Sequence, residues 1–143
     1  MRVYVPATVE DLLALHSSGQ VRCPVAFTVT EALAAAYGPG EEDEYEHSAM
    51  CAAAAASRAQ QGSQNWRRVV LTVEIPDDKQ NNVVVIDATQ GELTLKSEVT
   101  LPSVVAIHID EAQRSDELTD DDAADLQWFA AQELGHLIEG DHS

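Results

Sequence analysis

Glu133, His136 and Glu139 follow one another at intervals of three near the end of the chain. On a helix that spacing puts two carboxylates and an imidazole on one side, a donor set suited to Zn²⁺ or another divalent ion. His142 joins them only if the chain turns back. Gln132 stands where the first His of an H-E-x-x-H helix belongs, so the two-His ligand pair is missing. A polar stripe on a terminal helix accounts for the same residues without a metal. Residues 110–125 hold eight carboxylates and one base, Arg114. They lack the alternating ligands, central Gly and terminal Glu of a calcium loop, and read as a solvated loop that caps the following helix.

A second set gathers around strand ends. Trp66-Arg67-Arg68 is a basic and aromatic island in an acidic chain, fit to hold an anion or dock a partner. A small hydrolase or transferase acting on an anionic substrate would have its site at the strand ends near Tyr4, Thr28, Arg67, Arg68 and His108, with Tyr4 and Arg68 on the anion. Loop residues at a strand start, with Trp66 sealing the core edge, explain the same island. In Trp128-Phe129 one ring can face the core while the other leans outward, leaving an apolar spot suited to self-association. His16, His47, His108 and Cys51 are types fit for acid–base or nucleophilic work, but their spacing places no nucleophile beside its base. The chain holds no G-x-S-x-G, no P-loop and no G-x-G-x-x-G, so no cofactor is implied.

Charge narrows the partners. Eight Lys and Arg face 25 Asp and Glu, a net charge of −17 with His neutral. Such a chain repels phosphates and anionic lipid over about a Debye length. It lacks the basic face that releases counterions from DNA or RNA, which excludes direct nucleic-acid binding and argues against a membrane surface. A mimic of DNA would need acids spaced like phosphates, which sequence does not test. Cys23 and Cys51 are far apart and form no CxxC, as expected of free thiols in a reducing compartment. The first residues lack an apolar secretory core, and no run approaches the ~20 apolar residues of a membrane span. The expectation is a cytoplasmic protein.

The elements that must position these groups come next. Residues 2–6 read as a strand stopped by Pro6, and Thr8-x-x-Asp11 as the cap of a helix that Gly19 ends. Residues 25–29 form a strand. A short helix follows with Ala32, Leu33, Ala36 and Tyr37 on its buried stripe, closed by Gly38-Pro39-Gly40. Residues 41–61 form the longest helix, with acids in its first turn and Ala52 to Ala56 small enough for close approach. Residues 67–75 are a clear strand. Val83-Val84-Val85-Ile86 is continuous and β-branched, as in a strand covered on both faces. Residues 93–99 alternate, as in an edge or half-exposed strand. Residues 104–109 form the last strand, and residues 120–138 a helix with Leu126, Phe129, Ala130, Leu134, Leu137 and Ile138 on its apolar face.

This order predicts one α+β domain over residues 1–143, a mixed sheet of about five to six strands packed against about four helices. Three stretches carry a wider likeness: Met1-Arg2-Val3-Tyr4-Val5-Pro6-Ala7-Thr8 with Asp11-Leu12; Glu44-Tyr45 and Ala52 to Ala56 leading into Arg67-Arg68-Val69-Val70; and Trp128-Phe129-Ala130-Ala131-Gln132-Glu133. Together they resemble a family of small actinobacterial proteins classed as a domain of unknown function. That resemblance implies no activity and no site. The functional expectation is a non-enzymatic module that binds a protein partner or a second copy of itself through surfaces that include Trp66 and Trp128. The alternatives are the anion-directed enzyme and the divalent-metal domain.

Overall fold

The computed structural model of the chain describes residues 2–30, 35, 40, 42–60, 64–76, 83–87, 91–110, 114–115 and 126–135. Strand β1 (Arg2–Ala7) runs into helix α1 (Val9–Ser18) through a reciprocal cap. Thr8 Oγ1 accepts the Asp11 N–H at 3.2 Å, and Asp11 Oδ2 accepts the Thr8 N–H at 2.9 Å. Each bond satisfies a donor that the helix itself leaves unpaired. Gly19 ends α1 at φ 80°, donating its N–H to the Leu15 carbonyl, a left-handed cap natural to glycine.

Short β2 (Gln20–Val21) leads to β3 (Val25–Phe27) and then to α2 (Glu42–Ala59). There follow β4 (Gln64–Trp66), β5 (Val69–Glu74), β6 (Val83–Asp87), β7 (Glu92–Leu95), β8 (Val99–Thr100) and β9 (Val104–Asp110). Strands β10 (Arg114–Ser115) and β11 (Leu126–Ala130) and a 3-10 turn (Ala131–Glu133) complete the described chain. Seven strands form one sheet in the order β11-β9-β5-β1-β3-β7-β6, and every neighbouring pair is antiparallel. Two further pairs, β2 with β8 and β4 with β10, stand apart.

The α+β class holds, but the sheet is larger than five to six strands and is antiparallel, not mixed. A single β-α-β step would make β1 and β3 parallel. Here residues 19–24 carry the chain back alongside β8 before β3 begins. Leu101 N–H donates to the Gly19 carbonyl, and Leu95 N–H to the Pro24 carbonyl. Ten residues of α1 span about 15 Å, and residues 20–24, which open on β2, return up to about 17 Å, so β3 enters from the opposite end. Strands β3 and β5 then flank β1, and α2 crosses above it in a split β-α-β unit.

Two helices longer than one turn lie among the described residues, not about four. The expected short helix after Thr30 lies outside the described residues apart from Ala35. The expected terminal helix is absent over residues 126–130, which form edge strand β11 on β9, from Leu126↔Asp110 to Ala130↔Ala106. Apolar residues at 126, 129 and 130 fit a helical stripe, but they also fit a strand with one face on each core. Pairing against β9 satisfies five residues of backbone that a helix would leave uncovered there, and it decides the outcome. Pro6 does not stop β1; it pairs opposite Val70. Strand β3 meets β1 only at Tyr4↔Phe27, so past Tyr4 one side of β1 has no described strand neighbour, and a residue without an N–H fits there.

Alternation along the strands divides the core in two. Val3, Val5, Val69, Leu71, Ile107 and Ile109 face Leu12 and Leu15 of α1. Tyr4, Phe27 and Val70 face Ala49, Ala53 and Ala54 of α2. The alanines let α2 lie across β1, β3 and β5. Ser57 locks this contact: its buried Oγ donates to the Ala7 carbonyl at 2.6 Å and accepts the Val69 N–H at 2.9 Å. Gly91, at φ 71°, precedes β7. A Cβ there would strike the Thr28 carbonyl oxygen, and its own carbonyl accepts the Thr28 N–H at 2.9 Å, so only glycine fits.

Candidate functional site

Tyr4, Arg68 and His108 share the α2 side of the sheet by strand alternation. Tyr4 lies opposite Thr72 and Phe27 and is buried in the α2 cluster. His108 Nε2 lies 3.0 Å from Thr72 Oγ1. Burial holds the His108 imidazole below its ordinary 6.5, which favours the neutral ring.

Arg68 faces inward onto the Asp110 carboxylate, and half-buried Arg67 reaches the Asp110 carbonyl. Arg68 and Asp110 are both 0 % exposed. Arg68 Nη2 donates to Asp110 Oδ1 at 2.9 Å, and its Nε to Oδ2 at 3.1 Å. The Arg68 backbone N–H reaches the same Oδ2 at 2.7 Å, and Asp110 N–H returns to the Arg68 carbonyl at 3.1 Å. Arg67 donates Nε and Nη2 to the Asp110 carbonyl oxygen at 3.1 and 2.7 Å. A bidentate guanidinium–carboxylate pair of this kind neutralises the charge a substrate anion would need. Asp110, at the head of the expected solvated loop, is instead the internal counter-ion that clamps the end of β9 to the start of β5. Among the acids after it, residues 111–113 and 116–125 lie outside the described residues.

Glu133 is exposed in the 3-10 turn after β11. His136 and Glu139 lie outside the described residues. With β11 a strand, no long helix brings a run of residues up to Glu133. Among the described residues, no three His, Cys, Asp or Glu form a metal-holding group. Trp66 sits on β4, paired with β10 through Trp66↔Arg114, not in a loop. Trp128 is 62 % exposed on β11, while Phe129 packs against the α1-side core.

Two features escaped the sequence reading. Cys51 Sγ lies 3.4 Å from His47 Nε2 on α2, so a thiol does stand beside an imidazole. The signal was available: positions 47 and 51 are four apart on a recognised helix, hence on one face. The second is the sheet edge. Val83-Val84-Val85-Ile86 is not covered on both faces but lies exposed at the margin of the sheet, and β7, expected as an edge or half-exposed strand, lies inside. Val84, Val85 and Ile86 are 39, 56 and 57 % exposed. Continuous apolar sequence marks strands whose two faces are apolar, but it does not mark which strand is central. No described strand pairs with the outer edge of β6, and β6 carries no Lys, Arg or Pro, its one charged residue being Asp87 at its end.

Beside it opens a cleft of about 830 Å³. Val73, Ile75, Pro76, Val83, Leu95 and Val99 supply its apolar wall, with Glu74 and Glu98 among its polar groups. Glu74 also meets Arg2 Nε at 3.3 Å in an exposed pair.

Residues 1–138 match a family described as "Family of unknown function (DUF6912)". No curated protein and no solved structure matches the chain.

Proposed function

The chain belongs to this family of unknown function, and from that premise we propose that the domain is a non-enzymatic interaction module that receives an extended, basic segment of a partner protein along β6. The observation that carries this reading is the edge itself: three consecutive apolar side chains, 39 to 57 % exposed, on a strand with no described outer neighbour. Natural sheets blunt such edges with charge, Pro or a cover. An added strand would supply main-chain hydrogen bonds, and alternate side chains would supply specificity. Covering the exposed part of each of the three side chains contributes about 1 kcal/mol apiece.

Charge selects the partner. Two copies at −17 each repel, while a basic segment is drawn in and meets Glu74 and Glu98 at the neighbouring cleft. Cys23 and Cys51 are free thiols, which supports a reducing, cytoplasmic setting for the encounter. No described helix is long and apolar enough to cross a membrane.

The test is titration with a synthetic peptide of alternating Lys and Val, followed by calorimetry, with light scattering of the protein alone. The expected result is saturable binding that weakens with salt and falls at least about tenfold in Val85→Lys, since burying one unpaired charge at the strand edge exceeds 1.4 kcal/mol. A dimer that Val85→Lys dissociates would assign the edge to a second copy instead. Equal binding by the variant, or no binding by a monomer, would refute the module.

A further inference from the structure

We infer that Cys51 is a nucleophilic thiol served by His47, a site of covalent modification by soft electrophiles of the hydroperoxide class. Positions 47 and 51 lie one turn apart on α2, and the Sγ to Nε2 distance is 3.4 Å, within range of a sulfur hydrogen bond. Cys51 is half-buried, packed against the cluster of Tyr4, Phe27 and the α2 alanines, while His47 is exposed. Cys51 is therefore packed on one side and partly exposed on the other. The thiolate is the attacking species, and a neighbouring imidazole within hydrogen-bond reach is the usual means of generating it.

The step balances with the peroxide as oxidant. The Cys51 sulfur attacks one peroxide oxygen, the S–O bond forms and the O–O bond breaks. The thiol proton, taken by His47, passes to the departing oxygen. The products are a sulfenic acid and water, or an alcohol from an alkyl hydroperoxide.

Cys23 is the internal comparison. It is 4 % exposed. Burial, then the Asp11 charge and a hydrogen bond to that carboxylate, push its thiol up to about 12, so it stays protonated and shielded.

The experiment follows alkylation of the full chain by iodoacetamide, and oxidation by hydrogen peroxide, with peptide mass spectrometry at each cysteine. Cys51 is expected to react at least about a hundredfold faster than Cys23. His47→Ala slows Cys51 by about tenfold, below the usual contribution of a positioned base because the pair is open to water, and added imidazole restores the rate. A slow Cys23 in the same variant reports that the core is intact. Equal rates at the two cysteines, an unchanged Cys51 rate in His47→Ala, or a loss that imidazole does not restore would overturn the assignment.

Discussion

Replacing Asp110 by Asn tests whether the buried pair with Arg68 organises the β5–β9 junction. The substitution is nearly isosteric. The Asn oxygen still accepts the Arg68 N–H, now at 2.7 Å from Oδ2. Arg67 keeps both of its bonds to Asp110, because they end on the backbone carbonyl. What changes is the charge facing a guanidinium that is 0 % exposed, and an amide NH₂ then confronts a donor at the Arg68 Nη2–Oδ1 contact of 2.9 Å. Removing one partner of a buried pair costs about 3–5 kcal/mol, against a total stability of about 5–15 kcal/mol for a natural domain. At about 2–4 °C per kcal/mol for a chain near this length, Tm falls by roughly 6–20 °C. Thermal and urea unfolding followed by circular dichroism measures both quantities. The double variant Arg68→Met with Asp110→Asn removes the buried guanidinium as well and should recover most of the loss, since apolar replacement of a buried pair is often neutral. A loss below about 1 kcal/mol in Asp110→Asn, or a double variant no better than the single, would refute the reasoning.

Two further perturbations separate the remaining interactions. Ser57→Ala strands the Ala7 carbonyl and the Val69 N–H, both held by the same hydroxyl, and should cost about 1–3 kcal/mol in urea unfolding. A neutral result would mean that these groups find other partners. His108 is held below its ordinary 6.5 by burial, so the unfolded chain takes up the proton first. Stability from this group is complete above pH 6.5 and is lost as pH falls through the folded value, with a slope of at most about 1.4 kcal/mol per pH unit. The difference in urea midpoint between the natural chain and His108→Gln should shrink as pH drops from 7.5 to 5; a constant difference would sink the idea.

Local features were readable because local physics sets them. The Thr8 and Asp11 cap, the Gly19 stop, the α2 helix with its small face and the strands at β5 and β9 each depend on residues within a few positions of one another. The terminal segment was misread because Leu126, Phe129 and Ala130 satisfy two periodicities at once, and only the open edge of β9 chooses between them. The site was legible in part. His47 and Cys51 stood at helical spacing on a helix already recognised, so their meeting could have been read. Arg67 and Arg68 were marked by charge, but their partner lies 42 or 43 positions away, and nothing local reveals whether an arginine faces a substrate or an aspartate.

Sequence by itself determined a strongly acidic α+β chain with capped helices, β-branched strands and none of the common phosphate or nucleophile motifs. Tertiary structure alone decided which strand is exposed. Val83-Val84-Val85-Ile86 and the alternating stretch after Gly91 exchange the places their patterns suggest, because strand position follows from long-range pairing. Strand β7 pairs with β3 on one side and β6 on the other, which buries Leu93 and Leu95 and leaves β6 at the rim. A side-chain pattern reports which faces are apolar; it does not record how many neighbours the backbone will find.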